Sequence, residues 1–126
     1  MRRLLAAGYR RPLCLHLPAN HLATVRRRQG LERACREAGI DPDTLDHSYM
    51  AYGDEHYRDI PAVVLAHIQQ PTLPFDSVIC GNDRIAFMVY QTLLTRGIRI
   101  PQDIAVLGYD NLVGIGNLFL PPLSTV

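Results

Sequence analysis

Charge of one sign is not in excess in this chain. Thirteen Lys+Arg against 12 Asp+Glu leave a net charge of +1. A domain that grips nucleic acid by its phosphates carries a strong basic surplus on one face, so the chain as a whole is not built for that. Basic residues do gather at Arg2, Arg3, Arg10 and Arg11, and again at Arg26, Arg27 and Arg28. Helix ends and loops in water account for most of them. There is no CxxC pair among the three cysteines, Cys14, Cys35 and Cys80. An odd number, each within an apolar stretch, is better explained by free buried thiols in a reducing compartment than by a disulfide framework. No apolar run approaches the roughly 20 residues that cross a bilayer. The start, MRRLLAAGYRRP, is positive, but its apolar part is too short for a signal peptide. A cytoplasmic protein without a membrane partner is expected.

Catalytic sets are equally scarce. Serine occurs at Ser48, Ser77 and Ser124, never in a GxSxG elbow. Gly114 and Gly116 lie in VGIGN, which opens no helix after a strand and so is no dinucleotide fingerprint. His16, His21, His47, His56 and His67 show no metal spacing with a second ligand on the same face, apart from weak coincidences near His56, and His67 reads as a satisfied core histidine. The expectation is therefore no metal, no cofactor and no enzyme activity.

What is present is an alternation of helix and strand in 126 residues, enough for one core. Residues 2–8 read as helix turns closed by Gly8. Leu13 to Leu17 is an apolar strand between Pro12 and Pro18. Ala23 to Ala38 is a helix, with Leu31, Ala34, Cys35 and Ala38 at helical spacing and Gly39 after it. Asp46 to Ala51 is a weaker strand. A helix from Glu55 to Gln69 contains Pro61, which should bend or restart it. Phe75 to Cys80 is a strand, Arg84 to Arg96 a helix apolar on both sides and closed by Gly97, Ile104 to Tyr109 a strand, and Leu123 to Val126 the start of another. Strands apolar on both faces that alternate with helices predict an α/β fold, a three-layer parallel sheet with helices on both faces. The chain opens mid-helix and stops on a strand-like tetrapeptide, which is expected of a fragment of a longer protein.

Open parallel sheets bind ligands outside the carboxyl ends of their strands. Two strands end there in polar residues, one in Gly81, Asn82 and Asp83, the other in Gly108, Tyr109, Asp110 and Asn111. Arg26, Arg27 and Arg28 lie near the start of the helix after the first strand. An amide, a carboxylate and a guanidinium fork suit a ligand rich in hydroxyls or bearing a carboxylate. Each also has a plainer use: Asn82 or Asp83 as a helix cap, Asp110 and Asn111 as a turn.

Several stretches, in order, resemble the lactose-repressor (LacI/GalR) family. AAGYRRPLCL is similar to its helix end and first strand, and RRQGLERACREAGI to its "Arg-x-x-Gly … Ala-Gly-Ile" helix. SVICGNDRIAFMVYQTLLTRGIRIPQDIAVLGYDN is similar to its "Asn-Asp … Pro … Asp-Ile … Gly-Tyr-Asp" series, and PPLSTV to its crossover. The resemblance covers nearly the whole chain. It implies a periplasmic-binding-protein-like fold of two subdomains with a cleft between them, of which this chain is mainly the C-terminal subdomain. It also implies effector contacts from Arg27, Asn82 and Asp110, with Tyr52, or Tyr49, as an aromatic that stacks on the ligand. Leu31 stands where the family has an aromatic, and His56 or its neighbour where it has a glycine. A sugar or related metabolite is the implied effector, and a homodimer the implied assembly. Operator DNA would be bound only through an N-terminal domain that has no counterpart here. A periplasmic sugar-transport protein and an α/β enzyme are the alternatives.

Overall fold

The computed structural model describes residues 1–51, 58–69, 71–109 and 124–125. Its strands lie where apolar residues run without alternation. β1 (Pro12–His16) and β4 (Ala105–Gly108) are buried at every position, and β3 (Ser77–Cys80) at all but one. Such strands have helices on both faces. β2 (Asp46–Tyr49) is exposed or half-buried throughout and sits at an edge. With β5 (Ser124–Thr125) these strands form one sheet in the order β2-β1-β3-β4-β5, every pair parallel. The expected parallel α/β sheet is therefore the observed one.

Helices cover both faces. Leu13 and Leu15 on β1, Val78 and Cys80 on β3, and Val106 on β4 pack against α3 (Ile60–Ile68) and α4 (Asp83–Thr95) through Ile60, Val64, Ile85, Val89 and Leu93. Each fully buried Leu, Ile or Val contributes about 1.5–3 kcal/mol relative to exposure. On the opposite face Leu4 of α1 (Arg2–Ala6) meets Ala105 and Leu107, and Leu31 and Cys35 of α2 (Leu22–Glu37) meet Cys14. All three cysteines are buried free thiols, as their number and settings predicted.

The local signals explain where the elements stop. Gly39 and Gly97, both at φ 74, follow α2 and α4 and adopt the left-handed conformation that closes a helix without a Cβ clash. The helix predicted over 55–69 is shorter: α3 begins at Ile60, with Pro61 in its first turn. There proline's missing amide has no intrahelical partner to lose, so Pro61 starts the helix rather than bending it. The Asp76 carboxylate accepts from the backbone amides of Arg10 at 2.8 Å and Arg11 at 3.1 Å, which ties the approach to β1 to the start of β3.

Candidate functional site

The carboxyl ends of β1, β3 and β4 open on the α1–α2 face into a cleft of about 820 Å³. Its polar lining includes His16, Thr24, Arg27 and Tyr109, and Gly81 and Gly108 form part of its floor. Gly81 is required there by close packing: its amide donates to the Leu15 carbonyl at 2.7 Å, and a Cβ would lie 2.9 Å from the Leu17 nitrogen.

Arg27 reaches the cleft from the first turns of α2. Its Nη1 donates to the Gly81 carbonyl oxygen, and its guanidinium carbon lies 3.8 Å from the centre of the Tyr109 ring. The side chain thus spans the ends of β3 and β4, where a hydrogen bond and a cation–π contact help to hold it. Arg28, one residue on, faces elsewhere. Its Nε donates to Glu32 at 2.8 Å, and its Nη1 donates to the Tyr49 hydroxyl. These bonds hold Arg28 above and Glu32 below the usual ranges for their ionisation. Arg28 is not on a purely solvated helix end, contrary to the plain reading of its cluster.

Asn82 is the N-cap of α4. Its Oδ1 accepts from the Ile85 amide at 2.9 Å, which is the capping use weighed from the sequence. It does not line the cleft, although Gly81 beside it does. Asp83, fully buried, lies in the first helical turn, where the helix dipole favours an acidic side chain. Tyr52 and Asp110 lie outside the described residues. Tyr49 stacks on His16, with centroids 4.7 Å apart, rather than lining the cleft. His67 is the satisfied core histidine expected: its Nδ1 lies 2.8 Å from the Val63 carbonyl oxygen and its ring meets the edge of Phe75.

Two cleft residues, His16 and Thr24, were not picked out from the sequence as ligand contacts, and Tyr109 was named only as one of the polar residues that end a strand. His16 ends β1, and the strand-end rule that selected Asn82 and Asp110 applies to it equally. Its Nε2 is 2.9 Å from His47 Nδ1. Burial, then His47, then Arg28 push it down from 6.5 to about 4, so it is neutral near pH 7. Thr24 Oγ1 is buried with no hydrogen-bond partner among the described residues. Tyr109 became significant only through its stacking with Arg27. One sequence expectation is overturned: histidines do share a face with a second ligand type. Strand pairing gathers Cys14, His16 and His47 to within 4.8 Å. Their spacing concealed this, because His47 arrives from another strand.

A family model described as periplasmic binding proteins and the sugar-binding domain of the LacI family matches residues 1–126. The chain belongs to that LacI-type family. It is 57% identical over 123 residues to the sucrose operon repressors of Shigella flexneri and Escherichia coli, which covers 98% of this chain and 37% of theirs. It is 32% identical over 126 residues to the ribose operon repressor of Escherichia coli K12, with 98% and 36% covered. This LacI-type chain thus spans little more than a third of the length of the curated relatives it matches. Among solved structures it is similar to a LacI-family regulator from Enterococcus faecium with bound ribose, at a TM-score of 0.79 and 27% identity over 98% of this chain and 44% of the other. A LacI-family regulator from Silicibacter pomeroyi gives 0.78 and 27% over 99% and 45%. These relatives are operon repressors and transcriptional regulators. Among the described residues no helix is long and apolar enough to cross a membrane.

Proposed function

We propose that this chain is the effector-sensing part, mainly the C-terminal subdomain, of a LacI-type transcriptional repressor, and that its cleft takes a small sugar. The observation that carries this reading is Arg27, whose planar donor fork is fixed at the ends of two strands inside the cleft. Such a fork matches vicinal hydroxyls or a carboxylate. The buried Thr24 hydroxyl, without a hydrogen-bond partner among the described residues, adds a polar group that a ligand hydroxyl would satisfy. Asp110, with Tyr52 as the stacking aromatic, is assigned to the same site on the family likeness, and Asn82, which caps α4 next to the cleft-lining Gly81, is assigned to its rim. The effector is sucrose or one of the two sugars released from it, a choice supported by the 57% identity to sucrose operon repressors.

Leu22, 63% exposed although apolar, stands in the cleft lining and fits a second subdomain closing over it. Sugar binding would then shift the balance between open and closed arrangements and so the affinity for operator DNA. Phe87 and Leu94, seven residues apart on α4 and both exposed, fit a homodimer contact. Operator contacts belong to an N-terminal domain outside this chain. Free buried thiols fit a cytoplasmic setting.

The test is to follow operator binding by the full-length product while sucrose, glucose or fructose is added. One of the three should change DNA affinity about 5- to 150-fold, the usual range of such coupling. Arg27→Ala should abolish the response and leave DNA binding without sugar unchanged. Asn82→Asp keeps a capping oxygen but loses the amide donor, so it should weaken the response while α4 stays folded. If none of the sugars changes DNA affinity, the reading fails.

A further inference from the structure

Cys14 and His16 are two residues apart on β1, so both side chains leave the same face. His47 on β2 is the register partner of Cys14. One ligand atom from each of the three lies within 4.8 Å of the other two. His16 Nε2 and His47 Nδ1 are 2.9 Å apart, and the other nitrogen of His47, Nε2, is 3.0 Å from the Pro42 carbonyl oxygen. That carbonyl holds the His47 ring proton on Nε2, which leaves the Nδ1 lone pair turned toward the cluster. Metal-bound imidazoles are oriented by an outer hydrogen bond of this kind.

We propose that Cys14, His16 and His47 form a binding site for a transition-metal ion of the Zn2+ type. One sulfur and two imidazole nitrogens suit Zn2+, and they do not suit Mg2+ or Ca2+, which take oxygen ligands. Around a tetrahedral Zn2+, bonds of roughly 2.0–2.1 Å to nitrogen and 2.3 Å to sulfur place the donors about 3.3–3.6 Å apart. The two nitrogens have to separate by a few tenths of an ångström and the sulfur has to close on them, within the reach of side-chain rotation. On binding, the Cys14 thiol proton passes to solvent, and the His16 ring proton, which the contact with His47 Nδ1 places on Nε2 in the metal-free chain, is exchanged through solvent to Nδ1, so that Nε2 is free to bind. A water takes the fourth position. Two positive groups face this cluster, Arg28, which is already paired with Glu32, and the Met1 amino group near Cys14. His47 is half-buried on the edge strand, which gives the ion a way in from solvent. A hydrogen-bonded histidine pair alone accounts for the nitrogen contact but assigns nothing to Cys14, so the sulfur is the decisive ligand.

The test uses the tag-free 126-residue chain, stripped with a chelator and titrated with Co2+ and then Zn2+. A thiolate-to-cobalt charge-transfer band should appear in the near ultraviolet, saturate at one ion per chain and vanish when Zn2+ displaces Co2+. Cys14→Ser should remove the band, and both Cys14→Ser and His47→Asn should lower Zn2+ affinity by more than about tenfold, since even partners that only orient a ligand are worth that much. Circular dichroism checks that both variants are folded. Cys35→Ser and Cys80→Ser should keep the band. A wild-type chain that shows no such band overturns the site whatever the variants do, and so does a band that survives Cys14→Ser.

Discussion

Under α3 and α4 the sheet presents Leu13, Leu15, Val78, Cys80 and Val106 to a continuous apolar layer. Under α1 and α2 the same strands present two small apolar clusters, and the polar lining of the cleft and the Cys14–His16–His47 group lie on that side. The strands alternate, so one residue of β1 serves stability and the next serves chemistry. Burying a polar group without a full set of partners costs free energy, and Thr24 is such a group. The continuous layer on the far face supplies the surplus that makes the incomplete face tolerable.

This division can be broken from the apolar side first. Leu93, fully buried in the α3–α4 layer, should cost about 2–5 kcal/mol when replaced by Ala. Urea unfolding reads that loss, and the sugar response of the surviving folded protein should be unchanged. A parallel loss of sugar response would show that the two faces are coupled. On the cleft side the next largest effect is acid-dependent. Unfolded His16 takes up its proton near 6.5 and the folded residue only near 4. Between those values the unfolded chain binds more protons, so stability is fully present above 6.5 and falls as the pH drops toward 4. The loss is on the order of 3 kcal/mol. Unfolding curves over that range with a chelator present should show it, and His16→Gln should flatten the slope. The smallest effect on stability is expected from Thr24→Val, which removes the unpartnered hydroxyl at nearly constant shape. Stability should stay within about 1 kcal/mol of wild type or rise, while the sugar response weakens. A large destabilisation would mean that the hydroxyl is already satisfied within the fold.

Most of the architecture was legible because it is written in local pattern. The unbroken apolar runs at Leu13–Leu15 and Ala105–Leu107 indicated two-faced burial, and Gly39 and Gly97 marked helix ends by backbone geometry that needs no tertiary information. The start of α3 was misplaced because Pro61 is compatible with a bend or a beginning, and only packing decides. Arg27 was legible from the strand-end rule and the family likeness together. Asn82 was legible as a cap, and its capping bond is what the structure describes. The metal-type cluster was half legible. Cys14 and His16, two apart on a strand, announce a shared face, but His47 joins them only through the register of β1 on β2. No local pattern carries that register.

The order of strands has a consequence in time. β1 is first in the chain yet lies between two later strands, with Leu13 paired to Asp46 on one side and to Val78 on the other. While the polypeptide is being made, this fully buried strand therefore has no second neighbour until Cys80 has emerged. Contacts between such distant residues require long loops to close before they repay the entropy lost. In the interval the nascent strand has at least one open edge, and chaperone occupancy during synthesis should be greatest between the emergence of β1 and that of β3.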